Sequence, residues 1–106
     1  MSNFFDVAST SGLADHPILG VEVNGFELVL VKKDNEYFAL EDNCPHEGAP
    51  LSEGYIEGEE IVCLWHGSCF HLRTGKVRFD PATEDIAVYQ VRVVNDRIEV
   101  ELPDPA

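Results

Sequence analysis

The sequence predicts an all-β protein, an antiparallel β-sandwich with a small loop-bearing subdomain. Three observations predict it: period-two alternation of apolar and polar residues along most of the chain, compact turn signals between the alternating runs, and no run at helical spacing long enough for an amphipathic helix. Phe4 to Ala8 opens the fold, and a short helical turn is expected around Ser11 to Asp15. Val21-Glu22-Val23 alternates apolar and acidic residues. Asn24-Gly25 is a strong two-residue hairpin signal, and Phe26 to Lys33 returns with Phe26, Leu28 and Leu30 on one face. Asp34-Asn35 turns the chain into Tyr37 to Leu40. Residues 43 to 54 read as one long loop, Tyr55 to Glu57 and Ile61 to Leu64 as a short hairpin about Gly58, and 65 to 68 as a second loop. After Thr74-Gly75 the chain rejoins the larger sheet, where Val91, Val93, Ile98, Val100 and Leu102 bracket an Asn95-Asp96 turn in period-two order, until Pro103 and Pro105 end it.

With 106 residues and 44% hydrophobic content the chain can bury one core but hardly two, so residues 1–106 are expected to form a single domain. The longest apolar runs fall far short of the roughly 20 residues a membrane-crossing helix needs. No basic stretch followed by an apolar one opens the chain. A soluble, cytoplasmic protein is expected.

The two loops carry the chemistry. Cys44-Pro45-His46 has one residue between cysteine and histidine, Cys63-Leu64-Trp65-His66 has two, and residues 47 to 62 separate the pairs. A Rieske-type [2Fe–2S] centre holds one iron by two thiolates and the other by two imidazoles, so one cysteine and one histidine from each loop suffice. Two thiolates and two sulfides cancel two ferric charges, and the oxidised core is neutral; a four-thiolate cluster is two units more negative and harder to reduce. Two cysteines and two histidines are also a zinc set, but zinc pairs leave two to four residues between cysteines and three to five between histidines. Mixed pairs at short spacing fit two adjacent irons better. Both loops then fall in a cluster-binding subdomain of about residues 43–72.

Around these four ligands the chain resembles the small Rieske ferredoxins of multicomponent aromatic ring-hydroxylating dioxygenases. The resemblance includes Pro50-Leu51-Ser52-Glu53-Gly54-Tyr55-Ile56-Glu57-Gly58 between the loops and Phe70 to Gly75 after them, and it places Pro81 in a loop that covers the cluster. It implies a Rieske fold with one [2Fe–2S] cluster bound by Cys44, His46, Cys63 and His66, and exposed imidazole edges of His46 and His66 as the electron exit. Their outer N–H groups can lose a proton at alkaline pH, lowering the potential. High-potential members of the class join their two cluster loops by a disulfide; the matching positions here are Ala49 and Trp65, so that disulfide is excluded. Leu64 stands where the family usually has proline, a departure that bears on the stiffness of the second loop. High-potential members also place a serine and a tyrosine hydroxyl near the cluster, where this chain has Ser68 and Phe70. One donor is kept and one is lost, so a potential near the low end of the Rieske range, about −150 mV, is expected.

Other candidates have plainer readings. Gly48 and Gly67 suit tight turns that bring backbone N–H groups near sulfide. Cys69 is expected to pack, His16 to lie in a loop and His71 to serve at the surface or in a hydrogen bond rather than at iron. Net charge is −13, yet all seven basic residues fall at or before Lys33 or at or after Arg73, and residues 34 to 72 carry nine acids. That distribution favours brief, salt-sensitive docking on basic faces of redox partners and disfavours nucleic acid and anionic membranes.

The functional expectation is a monomeric one-electron carrier, not an enzyme by itself, that moves electrons from a flavin-dependent reductase to a terminal oxygenase in aromatic hydrocarbon catabolism. The chain has no flavin or nucleotide motif, and no room for the mononuclear-iron domain of an oxygenase. The rivals are a Rieske-like small subunit of an assimilatory nitrite reductase and a zinc-stabilised interaction module.

Overall fold

The computed structural model describes residues 2–43, 50–64, 67–78 and 85–103. Those residues form an all-β structure in which every strand pairing is antiparallel. The strands are β1 (Ser2–Ser9), β2 (Ile18–Val23), β3 (Phe26–Lys33), β4 (Glu36–Glu41), β5 (Tyr55–Glu57), β6 (Glu60–Val62), β7 (Cys69–His71), β8 (Val88–Tyr89), β9 (Val91–Val94) and β10 (Arg97–Pro103). Short 3-10 turns occupy Thr10–Leu13 and Leu51–Glu53. No helix among the described residues is long and apolar enough to cross a membrane.

Turn chemistry fixes three hairpins. At Asn24-Gly25, Asp34-Asn35 and Asn95-Asp96 both residues have positive φ, from 50° to 84°, the conformation that matches the twist of paired strands. Asparagine, aspartate and glycine adopt it at least cost. The resulting β2–β3, β3–β4 and β9–β10 pairs run from Val23↔Phe26, Lys33↔Glu36 and Arg97↔Val94.

Three sheets result, ordered β1-β10-β9, β2-β3-β4-β8 and β5-β6-β7. The β3 sheet is the middle layer. Leu28 and Leu30 on one face of β3 join Ala39, Ile98, Val100 and Leu102 in one core; Val29 and Val31 on the other join Leu40, Leu51, Ile61, Phe70 and Leu72 in a second. A strand buried on both faces reads as a continuous apolar run instead of an alternation, which is why Leu28-Val29-Leu30-Val31 is uninterrupted.

Several elements depart from the sequence reading. The helical turn begins at Thr10 and ends at Leu13, whose fully buried side chain anchors it in the core. The second strand of the short hairpin is Glu60–Val62, not Ile61 to Leu64, because the Cys63 amide already donates across the next loop to the Ser68 carbonyl. Phe70, expected in the flank of the second loop where a tyrosine donor is lost, lies in β7 and pairs with Ile61. Val91 and Val93 belong to a separate sheet from β8, the chain crossing between sheets at Gln90. Val93 keeps 46% of its surface exposed, since edge strand β9 has no neighbour beyond it.

Candidate metal centre

The small sheet gathers the stems of both loops at one end. β4 stops at Glu41, and the Asp42 amide donates to the Glu27 carbonyl at 2.9 Å. The chain re-emerges at Pro50, makes the Leu51–Glu53 turn and enters β5 at Tyr55, opposite Val62. Cys63 follows Val62 directly, and Val62 pairs on its other side with Cys69. The exit of the first loop and both ends of the second therefore lie on three neighbouring strands.

Gly54 shows how close these stems come. A Cβ added there would overlap the Val62 carbonyl oxygen, so only glycine lets the chain leaving the first loop lie against the chain entering the second. Main-chain bonds close the second loop: the Gly67 amide donates to the Cys63 carbonyl and the Cys63 amide to the Ser68 carbonyl, both at 2.8 Å, with Gly67 at φ +78°. The first is closed by side chains. The Ser52 amide donates to Asp42 Oδ1 and the Ser52 hydroxyl to Asp42 Oδ2, each at 2.7 Å.

Of the expected ligands, Cys63 is described; it is a buried, free thiol at the mouth of the second loop. Cys44, His46, Gly48, His66 and Pro81 lie outside the described residues. Ser68 and Phe70 are fully buried, Phe70 as the largest side chain of the core under the small sheet. Leu64, next to Cys63, leaves 59% of its surface exposed. Cys69 is buried and within 3.5 Å of the Gly67 carbonyl, to which its thiol donates; burial, then the charge of Glu60, pushes its pKa up and keeps it a thiol. His71 Nδ1 accepts the Arg73 amide at 3.2 Å, the hydrogen-bonding role expected of it, and His16 is exposed in the loop before β2.

Charge is unevenly spread. Arg73 forks onto Glu36 at 2.6 and 3.0 Å and lies 5.2 Å from the centre of the Phe38 ring, tying the turn after β7 to β4. Its hydrogen bond holds the Glu36 carboxyl below the usual range. Arg78 pairs with Glu60, Arg92 with Glu99 and Arg97 with Asp6. Near the first loop, by contrast, Glu22 and Glu27 face each other directly across β2 and β3 and line a cleft of about 290 Å³ with Glu41, Asn43 and Tyr89. Like charges directly opposite are destabilising, so this acidity is not a product of sheet stability. Burial, then Glu41, raises the Tyr89 pKa.

Sequence reasoning missed the Asp42–Ser52 contact and the Gly54 approach. Ser52 and Gly54 stood in the expected loop without a role and Asp42 just before it, and the Asp42–Ser52 pairing is set by the return path of the chain.

The stems fit a group that must be gripped from two loops: one free buried thiol opens the second loop, and the first leaves from the adjoining strand. Comparison with known proteins gives the same answer. The family model for the Rieske [2Fe–2S] domain matches residues 3–90. The ferredoxin component of naphthalene 1,2-dioxygenase/salicylate 5-hydroxylase systems from Ralstonia sp is 35% identical over 100 residues, covering 94% of this chain and 96% of the relative. Among solved structures, the Sphingomonas yanoikuyae B1 ferredoxin superposes with a TM-score of 0.87 at 25% identity, covering 95% of this chain and all of that one. A chain from the complex of reduced oxygenase and oxidized ferredoxin in carbazole 1,9a-dioxygenase gives 0.83 at 31% identity, covering 92% of this chain and 91% of that one. The zinc alternative falls with these matches: the chain belongs to the Rieske [2Fe–2S] domain family, whose prosthetic group is one [2Fe–2S] cluster.

Proposed function

We propose that the protein is a one-electron carrier that receives electrons from a flavin-dependent reductase and delivers them to a terminal oxygenase that dihydroxylates an aromatic ring. The observation that carries this reading is the two-way, nearly complete match to a ferredoxin component of an aromatic dioxygenase system. The solved neighbour described together with its oxygenase adds support for the delivery step.

The bound cluster supplies a one-electron redox couple, and the chain supplies its ligands, insulation and docking face. Cys44 and Cys63 would hold one iron and His46 and His66 the other, within a cluster-binding subdomain of about residues 43–72 of a single domain. Gly48 and Gly67 would turn the loops toward sulfide, and Pro81 would cover the cluster. Ser68, buried beside the second loop, would donate to sulfur, while Phe70 offers no hydroxyl. The expected potential is therefore low in the class, about −150 mV.

The docking face we assign combines exposed Leu64 with an acidic surround that includes exposed Glu53 and Glu57 and the Glu22–Glu27–Glu41 cleft. A small apolar centre with a charged rim suits a brief encounter, and the acidity selects basic partner surfaces over nucleic acid or anionic membrane. Cys69, a buried thiol outside the assigned ligand set, accords with the reading of a monomer in a reducing cytoplasm.

The test is reconstitution. Purified holoprotein is added to a flavin reductase and a terminal aromatic oxygenase of a related system, and ring hydroxylation is followed with and without it. Hydroxylation that depends on the carrier and falls with ionic strength is expected; a carrier that the reductase reduces but that never supports oxygenase turnover overturns the proposal. A fixed nitrite-reductase subunit would behave in the second way.

A further inference from the structure

We propose that Asp42 is the positioning residue of the first ligand loop, and that its clasp on Ser52 determines how long the cluster is retained and how uniformly it is held. The inference rests on the reading of Cys44 and His46 as ligands. Nine residues separate Asp42 from Ser52, and both of those expected ligands lie among them.

The two loops are secured differently. The neck of the second is closed by main-chain bonds that no side-chain substitution removes directly. Among the described residues the neck of the first is closed by one carboxylate, both of whose oxygens are engaged at 2.7 Å in part-buried surroundings. Asp42 also substitutes for a missing cap. The residue preceding the Leu51–Glu53 turn is Pro50, which makes no side-chain cap, so the Ser52 amide would lack a partner at that turn without Asp42.

Each side of the clasp is anchored elsewhere. The Asp42 amide donates to the carbonyl of Glu27 in β3, and Leu51, next to Ser52, is fully buried in the core under the small sheet. Gly20 of β2 lies against the clasp: an added Cβ would stand 2.9 Å from Ser52 Oγ and 3.2 Å from Asp42 Oδ2. Closing the neck in this way restricts the conformations open to the loop, which favours the arrangement that grips iron over the many that do not.

The experiment uses reconstituted holoprotein and the variants Asp42→Ala, Asp42→Asn and Ser52→Ala, with Ile98→Val as a control that lowers stability from the remote core. Cluster loss is followed by the decay of visible absorbance under a strong iron chelator, and the reduced form by electron paramagnetic resonance. Expected is cluster loss about tenfold faster in Asp42→Ala, the scale of one charge-assisted hydrogen bond. Ser52→Ala should show a smaller increase, and Asp42→Asn partial rescue because its amide oxygen can still accept from the Ser52 amide. Ser52→Ala, which leaves net charge unchanged, should also broaden or shift the spectrum. Should Asp42→Ala fail to fold, the rate and spectrum of Ser52→Ala decide. Unchanged rate and spectrum in that variant, or equal acceleration in Ile98→Val at matched stability, overturn the proposal. A wild-type holoprotein without a Rieske signal overturns the ligand reading itself, and the clasp with it.

Discussion

Replacing Phe70 by tyrosine tests the account of the low potential through two readouts that are linked. Phe70 is fully buried on β7 in a core with Leu51, Ile61, Leu72 and Ile86, so a new hydroxyl at the end of its ring has no bulk water to bond. If the hydroxyl faces the cluster, it donates to sulfur, and the bond strengthens when the core gains a negative charge. A hydrogen bond contributes about 1 kcal/mol between neutral groups and about 1.5–3 kcal/mol to a charged one, so the reduced state gains about 1 kcal/mol more than the oxidised state. At about 59 mV per tenfold for one electron and about 1.4 kcal/mol per tenfold, the midpoint rises by about 40 mV. Folding stability then changes little, because the hydroxyl is satisfied. If instead it faces only side chains, it is a buried donor without a partner, costs about 1–3 kcal/mol, and leaves the midpoint where it was. A reductive titration followed by electron paramagnetic resonance, paired with denaturant unfolding of the same preparation, distinguishes the two. A less stable protein with an unmoved midpoint refutes the assignment of Phe70 as the missing donor.

Ser68→Ala removes the retained hydroxyl and should lower the midpoint by a similar amount, about 40 mV; an unmoved potential would show that the hydroxyl points away from the cluster. Gly54→Ala drives a Cβ into the Val62 carbonyl oxygen, a backbone contact that no rotamer relieves, and should cost about 2–3 kcal/mol. That corresponds to a melting temperature lower by about 10–20 °C, and a shift of only a degree or two would mean that the stems separate easily. Asp6 titrates below the usual carboxylate range because Arg97 hydrogen-bonds to it. A depressed folded pKa stabilises above the unfolded value, about 3.9, and that contribution is lost as pH falls through the folded value. In Arg97→Gln the Asp6 carboxyl should return to the ordinary range by carbon-detected NMR titration. A wild-type Asp6 already titrating there would remove the pair from the acid-stability account.

Legibility followed the range of the interaction. The hairpins at Asn24-Gly25, Asp34-Asn35 and Asn95-Asp96 could be read because the turn residues themselves carry the required positive φ. Strand β8 could not: two residues have no measurable period, and Val88 and Tyr89 become a strand only by pairing with Leu40 and Ala39, nearly fifty residues earlier. The alternation in β3 suggested one buried face, and a second core on Val29 and Val31 appears only once the small sheet folds over it. At the site, the spacing gave four expected ligands, of which Cys63 alone lies among the described residues, whereas the Asp42–Ser52 clasp joins residues that are individually ordinary. Aspartate and serine in a loop signal turns and caps in general; which amide the carboxylate caps depends on where the chain returns.

The stems show how Leu64 can stand where the family usually has proline. The stems need specific backbone: Gly54 for the approach to Val62, Gly67 for a positive φ, and main-chain bonds between Cys63 and residues 67 and 68. None of these bonds uses the side chain of residue 64, which points enough of itself to solvent to remain more than half exposed. A change there spares these main-chain bonds and, on the proposed docking face, alters what a partner would meet. Ser68 and Phe70 have no solvent contact, so substitutions there act on packing and, on the proposed reading, on the donors available to sulfur. On the proposed reading, exposed Leu64 serves partner choice and buried Ser68 the potential, so a substitution at either position is expected to leave the other property unchanged.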